Sequence, residues 1–411
     1  MSVTRRELFS RLRSGGVAEG VPLNGLALAA RGHEEDSALS FWSGQTGGRG
    51  RGAGVASQAT AAPSIKLSSN ENPMGPGRAV LDAITGRFGQ TMRYPFNVTP
   101  GDAQLIETIA ALHKAKPENV ALGAGSQEIL KVAVWGYTSP ARHLVTATPT
   151  FENATGTARR MGHPVVEVKV DGQFRLDLEG MLANARGAGL IFVNNPNNPT
   201  ATVHSGAAIK DFVERVRRIS PDSVILIDEA YHEYVTDPAY ETAIPLALST
   251  PNVFVARTFS KAYGMAGMRI GYAIGMKDTV RPLARLALPF NISVLGTIAA
   301  LTALNDPKHM AAERDRNTQA RDFTQKALDA LGCRSTVSHA NFLFTNVGRS
   351  AAAFRTACAA QGIQVGRDFP PFEGSHARIS IGTMEEMQQA VAVFRDVLAP
   401  ANAGGGENPR W

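Results

Sequence analysis

Cysteine and long apolar runs are both scarce in this chain of 411 residues. Only Cys333 and Cys358 are present, which excludes the disulfide framework that holds many small secreted domains together. We expect each of them to be a small core residue rather than a reactive thiol. No apolar run approaches the ~18 residues of a membrane-spanning helix, so no membrane span is predicted.

A strong charge imbalance and metal-binding motifs are also missing. The net charge is only +6, and no basic stripe with interleaved aromatic residues occurs, so nucleic-acid binding is not predicted. His232 and Glu233 belong to no H-E-x-x-H pattern, and no Walker A string is present, so no metal site is predicted. We expect these two side chains to face solvent.

The two ends of the chain differ in composition from its middle. Residues 1–62 are predicted to be a disordered leader or linker, and residues 400–411 a disordered tail. Thr4-Arg5-Arg6 resembles a twin-arginine export motif, but a basic disordered extension explains it equally well. A cytoplasmic location and periplasmic export therefore both stay open.

What is present between the two ends is a long chain with recurring strand and turn signals. Its length predicts more than one domain. We expect an N-terminal arm over residues 63–94, a large domain over 95–288 and a small C-terminal domain over 289–399. Apolar residues at helical spacing predict an amphipathic helix over Ala207–Ile219.

The most informative stretch is R-T-F-S-K-A-Y-G-M-A-G-M-R-I-G-Y, Arg257–Tyr272. It follows a β-branched and aromatic run that predicts a buried strand, and open α/β sheets bind ligands just beyond such strands. Thr258 and Ser260 offer hydroxyl groups, Arg269 a planar cation and Lys261 an amine. These groups suit a phosphate together with a carbonyl that the amine could attack.

Three further strand ends carry polar groups. One strand ends in the acid Asp228, three residues before Tyr231, and another runs into the turn N-N-P-N-N-P-T that contains Asn198. A third leads through a glycine turn into a helix that starts at Ser126-Gln127. The free backbone N–H groups of such a helix start can bind phosphate.

These strings resemble the class I/II pyridoxal-phosphate aminotransferases, especially the histidinol-phosphate aminotransferase branch, over roughly residues 65–398. The arm I-K-L-S-S-N-E-N-P-M-G-P matches the pattern L-x-x-N-E-N-P-x-G-P of that family, and Arg93-Tyr94-Pro95 matches its R-Y-P. D-E-A-Y, the lysine segment and R-I-S-I-G-T follow in family order. The fold implied is α/β: fold-type I, with a mainly parallel, doubly wound sheet domain plus a small α+β C-terminal domain.

The resemblance also implies roles for single residues. Lys261 would hold pyridoxal phosphate covalently and act as the base, Asp228 would bond the ring nitrogen, and Asn198 and Tyr231 would bond the phenolic oxygen. Arg378 would anchor the substrate, and Asn72 in the arm would line the substrate cleft. The expected phosphate ligands are Ser126, Gln127, Thr258, Ser260, Arg269 and, from the neighbouring subunit of a homodimer, Tyr94.

The chain departs from the family pattern at three positions. Ala154 stands where the family has an aromatic residue that stacks on the cofactor ring. Phe151, or the side chains of Glu152-Asn153, would then have to cover the ring. Gln127 replaces an acid and Ala201 a glycine, which are smaller changes.

The predicted activity is a transaminase. It would move an amino group between an amino acid or amino-alcohol phosphate, of histidinol-phosphate or aromatic type, and a 2-oxoacid such as 2-oxoglutarate. Two alternatives stay open at this point: a pyridoxal-phosphate-dependent decarboxylase of a phosphorylated amino acid, and a non-catalytic protein that senses the cofactor.

Overall fold

The computed structural model describes residues 64–399. Their largest element is a sheet of seven strands whose order is β2-β8-β7-β6-β5-β3-β4. The strands of this sheet are β2 (Val120–Gly123), β3 (Leu144–Thr148), β4 (Val165–Lys169), β5 (Leu190–Asn194), β6 (Val224–Asp228), β7 (Val253–Thr258) and β8 (Gly271–Gly275).

The direction of the strands sets where the functional loops emerge. β4, β3, β5, β6 and β7 pair in parallel, whereas β8 is antiparallel to both β7 and β2. Every residue of β5, β6 and β7 is buried, as expected for a sheet covered on both faces. The α/β fold with a mainly parallel sheet is confirmed.

Helices cover the sheet and connect its strands. The predicted amphipathic helix runs over Gly206–Ile219, buries Ile209, Phe212, Val213 and Val216, and starts at Ser205, whose hydroxyl accepts a hydrogen bond from the Ala208 backbone. The helices are α1 (Arg78–Thr85), α2 (Asp102–Leu112), α3 (Ser126–Tyr137), α4 (Asn153–Arg160), α5 (Leu178–Ala183), α6 (Gly206–Ile219), α7 (Ile244–Ser249), α8 (Lys277–Leu286), α9 (Val294–Leu304), α10 (Pro307–Ala330), α11 (Ala351–Ala360) and α12 (Met384–Leu398).

A second core lies in the C-terminal part of the described chain. It includes Phe354, Ile379 and Phe394, together with Leu67 from the start of the described chain. Cys333 and Cys358 lie in this core, both buried and unpaired, which confirms their prediction as core residues. The four remaining strands are β1 (Ile65–Leu67), β9 (Phe342–Asn346), β10 (Ile363–Val365) and β11 (His376–Ser380).

Two strand pairs carry this part of the structure. β9 and β11 are antiparallel, with Arg378 opposite Phe344. β1 pairs in parallel with β10, so the start of the described chain is joined to a strand about 300 residues later. Helix α9 contributes Ala299, Ala300 and Ala303 to the core of the large sheet. The expected domain boundaries stay predictions.

Within residues 64–399, no helix is long and apolar enough to cross a membrane. The same residues hold no group of three or more histidine, cysteine, aspartate or glutamate side chains arranged to bind a metal ion. The predicted leader, its twin-arginine motif and the predicted tail lie outside the described residues.

Candidate active site

Three loops with polar side chains meet at one edge of the large sheet. Asn194 at the end of β5 is in register with Asp228 at the end of β6, and Asp228 is in register with Ala256 of β7. Because these strands are parallel, their carboxyl ends lie side by side. The segments that follow carry Asn198, Tyr231 and Lys261.

Lys261 lies just beyond β7 and is partly buried. Its Nζ donates a hydrogen bond to the backbone oxygen of Ser69 (3.1 Å) and lies 5.8 Å from the centroid of the Tyr231 ring. Burial, and next the positive charge of Arg378, lower the pKa of Lys261 to about 8. A substantial fraction of the amine is therefore neutral near physiological pH, as a nucleophile requires.

Asp228 is buried at the base of the same site. Its Oδ1 accepts a hydrogen bond from the Ala230 backbone over 3.2 Å, and burial raises the pKa of its carboxyl group to about 7. A buried carboxylate is stabilised by a cationic partner. Asp228 can therefore bind a protonated ring nitrogen.

Tyr231 and Asn70 form a contact that the sequence did not reveal. Nδ2 of Asn70 donates to the Tyr231 hydroxyl over 3.1 Å, and both side chains are buried. The Tyr231 ring meets the ring of Phe342 edge-on, with centroids 5.1 Å apart. Burial raises the pKa of Tyr231 to about 12, so its hydroxyl stays protonated at neutral pH.

Asn72 is the arm residue that we expect to line the substrate cleft. Both the nitrogen and the oxygen of its side-chain amide form hydrogen bonds with backbone atoms. Its Nδ2 donates to the Ala262 oxygen, and its Oδ1 accepts from the Met74 nitrogen, each over 2.9 Å. These contacts attach the arm to the lysine loop. Asn72 also borders a cavity of about 390 Å³ that lies between the arm, Ser260 and Ser380, so its substrate role stays a prediction.

Arg378 places a buried cation beside the N-P-N-N-P turn. Its Nη1 donates to Oδ1 of Asn198 (2.7 Å) and its Nη2 to the Ser68 oxygen (2.6 Å), while its Nε is buried without a partner among the described residues. The guanidinium lies 4.7 Å from the Phe369 ring centroid, and burial lowers the pKa of Arg378 to about 10. A buried guanidinium with an unpaired N–H is suited to bind an anion.

A second anion site lies at the start of α3. Arg269 donates from Nη1 to Oγ of Ser260 (3.3 Å) and from Nη2 to the Ala124 oxygen (3.2 Å), and Thr258 donates to Ser260 Oγ (2.9 Å). At Gly125, whose φ is 76°, a Cβ would overlap Nη2 of Arg269 and would displace its guanidinium. The free N–H groups of the helix start, the hydroxyls and this guanidinium form a cradle for a phosphate.

Among residues 64–399, no contact packs two of the predicted phosphate ligands into this cradle. Gln127 is exposed. Tyr94 is 65% exposed and packs on Phe96 and Phe290, with ring centroids 5.9 and 5.3 Å away. The roles of both residues stay predictions.

The covering of the cofactor ring also stays a prediction. Ala154 is fully buried within α4, where it belongs to the core between that helix and the sheet, and Phe151 packs against the same core. Glu152 pairs with Arg367.

The expectation that His232 and Glu233 face solvent is wrong. Arg257, buried in β7, pairs with Glu229 over 2.7 Å and with Glu233 over 3.4 Å. Burial, and next the charge of Arg257, lower the pKa of His232 to about 2. The prediction of solvent exposure failed because Arg257, the buried cation that contacts Glu233, lies 24 residues later in the chain.

The family model for aminotransferase class I and II matches residues 62–394. The chain belongs to this family. It is 33% identical to a histidinol-phosphate aminotransferase of Moorella thermoacetica over 338 residues, which cover 82% of this chain and 86% of the relative. It is also 33% identical to an aromatic amino acid aminotransferase of Thermobifida fusca, over 81% of this chain and 90% of the relative.

A similar solved structure is the histidinol-phosphate aminotransferase from Sinorhizobium meliloti in complex with pyridoxal 5'-phosphate. Its TM-score is 0.76 at 25% identity, with 93% of this chain and 98% of the other covered. The chain of 411 residues is thus an aminotransferase that uses pyridoxal phosphate. The predicted family and the predicted cofactor are both confirmed. Neither the decarboxylase nor the non-catalytic alternative is supported by any of these relatives.

The site fits the cofactor. The aldehyde of pyridoxal phosphate needs an amine with a lowered pKa, which Lys261 has. Its ring nitrogen needs a buried acid, Asp228, and its phosphate fits the cradle around Arg269 and Ser260.

Proposed function

We propose that this aminotransferase takes its amino group from a donor of the histidinol-phosphate or aromatic amino acid type and passes it to a 2-oxoacid such as 2-oxoglutarate. The observation that carries the proposal is the buried Arg378, whose Nε has no partner among the described residues. Its fork fits a carboxylate or a phosphate. The names of the relatives from Moorella thermoacetica and Thermobifida fusca support the two donor types.

In the proposed reaction each residue has one task. Bound pyridoxal phosphate supplies an electron sink for the carbanion at the substrate Cα. Lys261 Nζ takes the proton from that carbon, Asp228 pairs with the ring nitrogen, and Asn198 and Tyr231 contact the phenolic oxygen. The phosphate ligands are Ser126, Gln127, Thr258, Ser260 and Arg269.

We propose further that the enzyme is a homodimer in which Tyr94 completes the phosphate site of the partner. Tyr94, Phe96 and Phe290 are 65%, 62% and 56% exposed and lie together on one surface. Exposed aromatic clusters of this kind mark interaction surfaces.

The place where the enzyme acts depends on residues 1–62. A cytoplasmic enzyme and an exported one remain two alternatives, because Thr4-Arg5-Arg6 fits both a twin-arginine signal and a basic extension.

A panel of amino donors tests the proposal on substrates. Histidinol phosphate, phenylalanine, tyrosine and aspartate are each incubated with 2-oxoglutarate, and glutamate formation is measured beside CO₂ release. We expect glutamate with histidinol phosphate or the aromatic donors, and none from a Lys261→Ala control. Turnover with aspartate alone, or CO₂ release without glutamate, would contradict the proposal.

A further inference from the structure

A buried chain of hydrogen bonds joins the arm, strand β11 and Tyr231. The backbone N–H of Asn70 donates to Oγ of Ser380 over 2.9 Å. Ser380 Oγ lies 2.7 Å from Oδ1 of Asn70, and Nδ2 of Asn70 lies 3.1 Å from the Tyr231 hydroxyl. All three residues are at most 3% exposed.

The backbone N–H of Asn70 fixes the direction of every hydrogen bond in this series. A backbone N–H can only donate, so it occupies a lone pair of Ser380 Oγ, and the Ser380 proton is left for Oδ1 of Asn70. The oxygen end of the Asn70 amide therefore faces Ser380. Its nitrogen end faces Tyr231 and donates to the hydroxyl oxygen.

Tyr231 consequently has a proton to donate elsewhere. The Asn70 amide is the one hydrogen-bond partner of its hydroxyl among residues 64–399. A buried hydroxyl proton needs an acceptor. The Nζ of Lys261 lies over the Tyr231 ring. The proposed cofactor cleft around Lys261 is therefore next to the Tyr231 side chain.

We infer that Asn70 is a positioning residue that directs the hydroxyl proton of Tyr231 into the cofactor cleft. Tyr231 then donates a hydrogen bond to the phenolic oxygen of the bound cofactor instead of accepting one. The inference rests on the proposed role of Tyr231 and extends it to a residue that acts through Tyr231. Ser380 lies two residues after Arg378, so one strand carries both the proposed substrate anchor and the hydroxyl that orients Asn70.

The same contacts also attach the arm to strand β11 and Tyr231. A test must therefore separate this structural role of Asn70 from its effect on the Tyr231 hydroxyl. Its φ of 54° is left-handed, a conformation that asparagine, aspartate and glycine tolerate better than other residues. Aspartate and glycine are therefore the two replacements that keep the backbone of the arm.

The measurement is the pH titration of the absorption band of the Lys261-linked cofactor in the holoenzyme. A hydrogen bond donated to the phenolic oxygen stabilises its negative charge and weakens its hold on the proton of the linking nitrogen. Loss of that bond therefore raises the midpoint. In Asn70→Asp a carboxylate oxygen faces Tyr231 and accepts the hydrogen bond from its hydroxyl, which is then no longer donated to the cofactor. We expect the midpoint to rise by about one pH unit or more.

The matched control is Asn70→Gly, which removes the amide but leaves the Tyr231 hydroxyl free to donate into the cleft. Its midpoint should rise by less than half as much. The added charge of aspartate is controlled by introducing Asn70→Asp into a Tyr231→Phe variant. Relative to Tyr231→Phe alone, the midpoint should rise by less than half of the rise that Asn70→Asp causes in the wild-type enzyme. Equal rises for Asp and Gly, or a full rise without the tyrosine hydroxyl, would overturn the inference.

A second variant covers the case in which Asn70→Asp does not fold. Ser380→Ala frees the Asn70 amide to turn its oxygen toward Tyr231, so the midpoint should rise by a smaller amount, and an unchanged midpoint would overturn the inference. A wild-type protein that binds the cofactor but shows no glutamate formation with any donor would contradict the proposed function alone.

Discussion

Arg378 donates a hydrogen bond from Nη1 to Oδ1 of Asn198 over 2.7 Å, although 180 residues separate the two. One residue is the predicted substrate anchor, and the other the predicted partner of the phenolic oxygen. The guanidinium thus orients the amide of Asn198, for which we propose a contact with the cofactor, while its own Nε faces no partner in the described chain. In the proposed site, this contact joins the residue that would bind the substrate to a residue that would bind the cofactor.

Arg378→Lys should lower kcat/KM in both half-reactions if both substrates use this arginine. A lysine keeps the charge but cannot contact Asn198, the Ser68 backbone and an anion with one planar fork. Losing one charge-assisted hydrogen bond costs about 1.5–3 kcal/mol, or about 10- to 150-fold in kcat/KM. Single-turnover kinetics with each substrate measure the effect.

Arg175→Lys is the matched control, since that arginine pairs with Asp171 on the surface, and it should leave both half-reactions unchanged. If Arg378→Lys slows only the carboxylate substrate, a phosphorylated donor is held elsewhere. Normal kcat/KM in both directions would remove Arg378 from the substrate site.

The rate at which apoenzyme captures pyridoxal phosphate should rise with pH around a midpoint near 8. Only the neutral amine attacks an aldehyde, and the pKa of Lys261 is lowered from 10.5 to about 8 by burial and by Arg378. Arg378→Gln should move the midpoint upward because it removes the nearby positive charge. Stopped-flow absorption measures both, and a wild-type midpoint near 10.5 would contradict this account of the site.

Mixing two inactive variants tests the shared site. A subunit with Lys261→Ala retains Tyr94, and a subunit with Tyr94→Ala retains Lys261. If Tyr94 serves the partner's site, a hybrid dimer contains one site with both residues, so mixing after dissociation should restore activity that neither parent shows. If Tyr94 serves its own subunit, no site is complete and no activity returns.

Arg257→Met should destabilise the fold strongly. It leaves Glu229, 1% exposed, without its cation, and breaking a buried pair from one side costs about 3–5 kcal/mol. Urea unfolding measures the loss, and the double variant Arg257→Met/Glu229→Gln should recover part of it. Arg78→Met, which breaks an exposed pair with Asp82, is the control and should leave the unfolding midpoint unchanged.

Export has a direct test. If Thr4-Arg5-Arg6 belongs to a signal, the mature protein starts between about Ala30 and Ala62, and replacing both arginines by lysine keeps full-length protein in the cytoplasm. Full-length protein that stays in the cytoplasm with either sequence would favour the basic extension. Fractionation followed by N-terminal sequencing reads the outcome.

The sequence predicted those parts of the site that follow directly from single strands. Asp228, Asn198 and Lys261 each come at or just after the end of a buried strand, and parallel pairing brings such ends together. Local patterns predict where these residues lie, whereas the roles assigned to them came from the family resemblance and stay predictions. The phosphate cradle was predicted on the same basis, from a glycine turn before a helix.

Other contacts had no local signal. Asn70 meets Ser380 across 310 residues, and the arm pattern gave no reason to prefer Asn70 over Asn72. Arg257 looked like part of the lysine segment, yet its partners are Glu229 and Glu233. Such pairs depend on how the chain returns to the sheet, which periodicity does not encode.

The pairing of β1 with β10 sets an order for events during synthesis. Ile65 leaves the ribosome about 300 residues before Ile363, its partner in the register, an interval of roughly 15–60 s at common translation rates. All seven strands of the large sheet are made within that interval. A nascent chain or proteolytic fragment that stops before residue 363 therefore has Lys261, the proposed cofactor lysine, but neither Arg378 nor Ser380. We expect that such a chain cannot select a substrate until about the last eighth of the protein has been made.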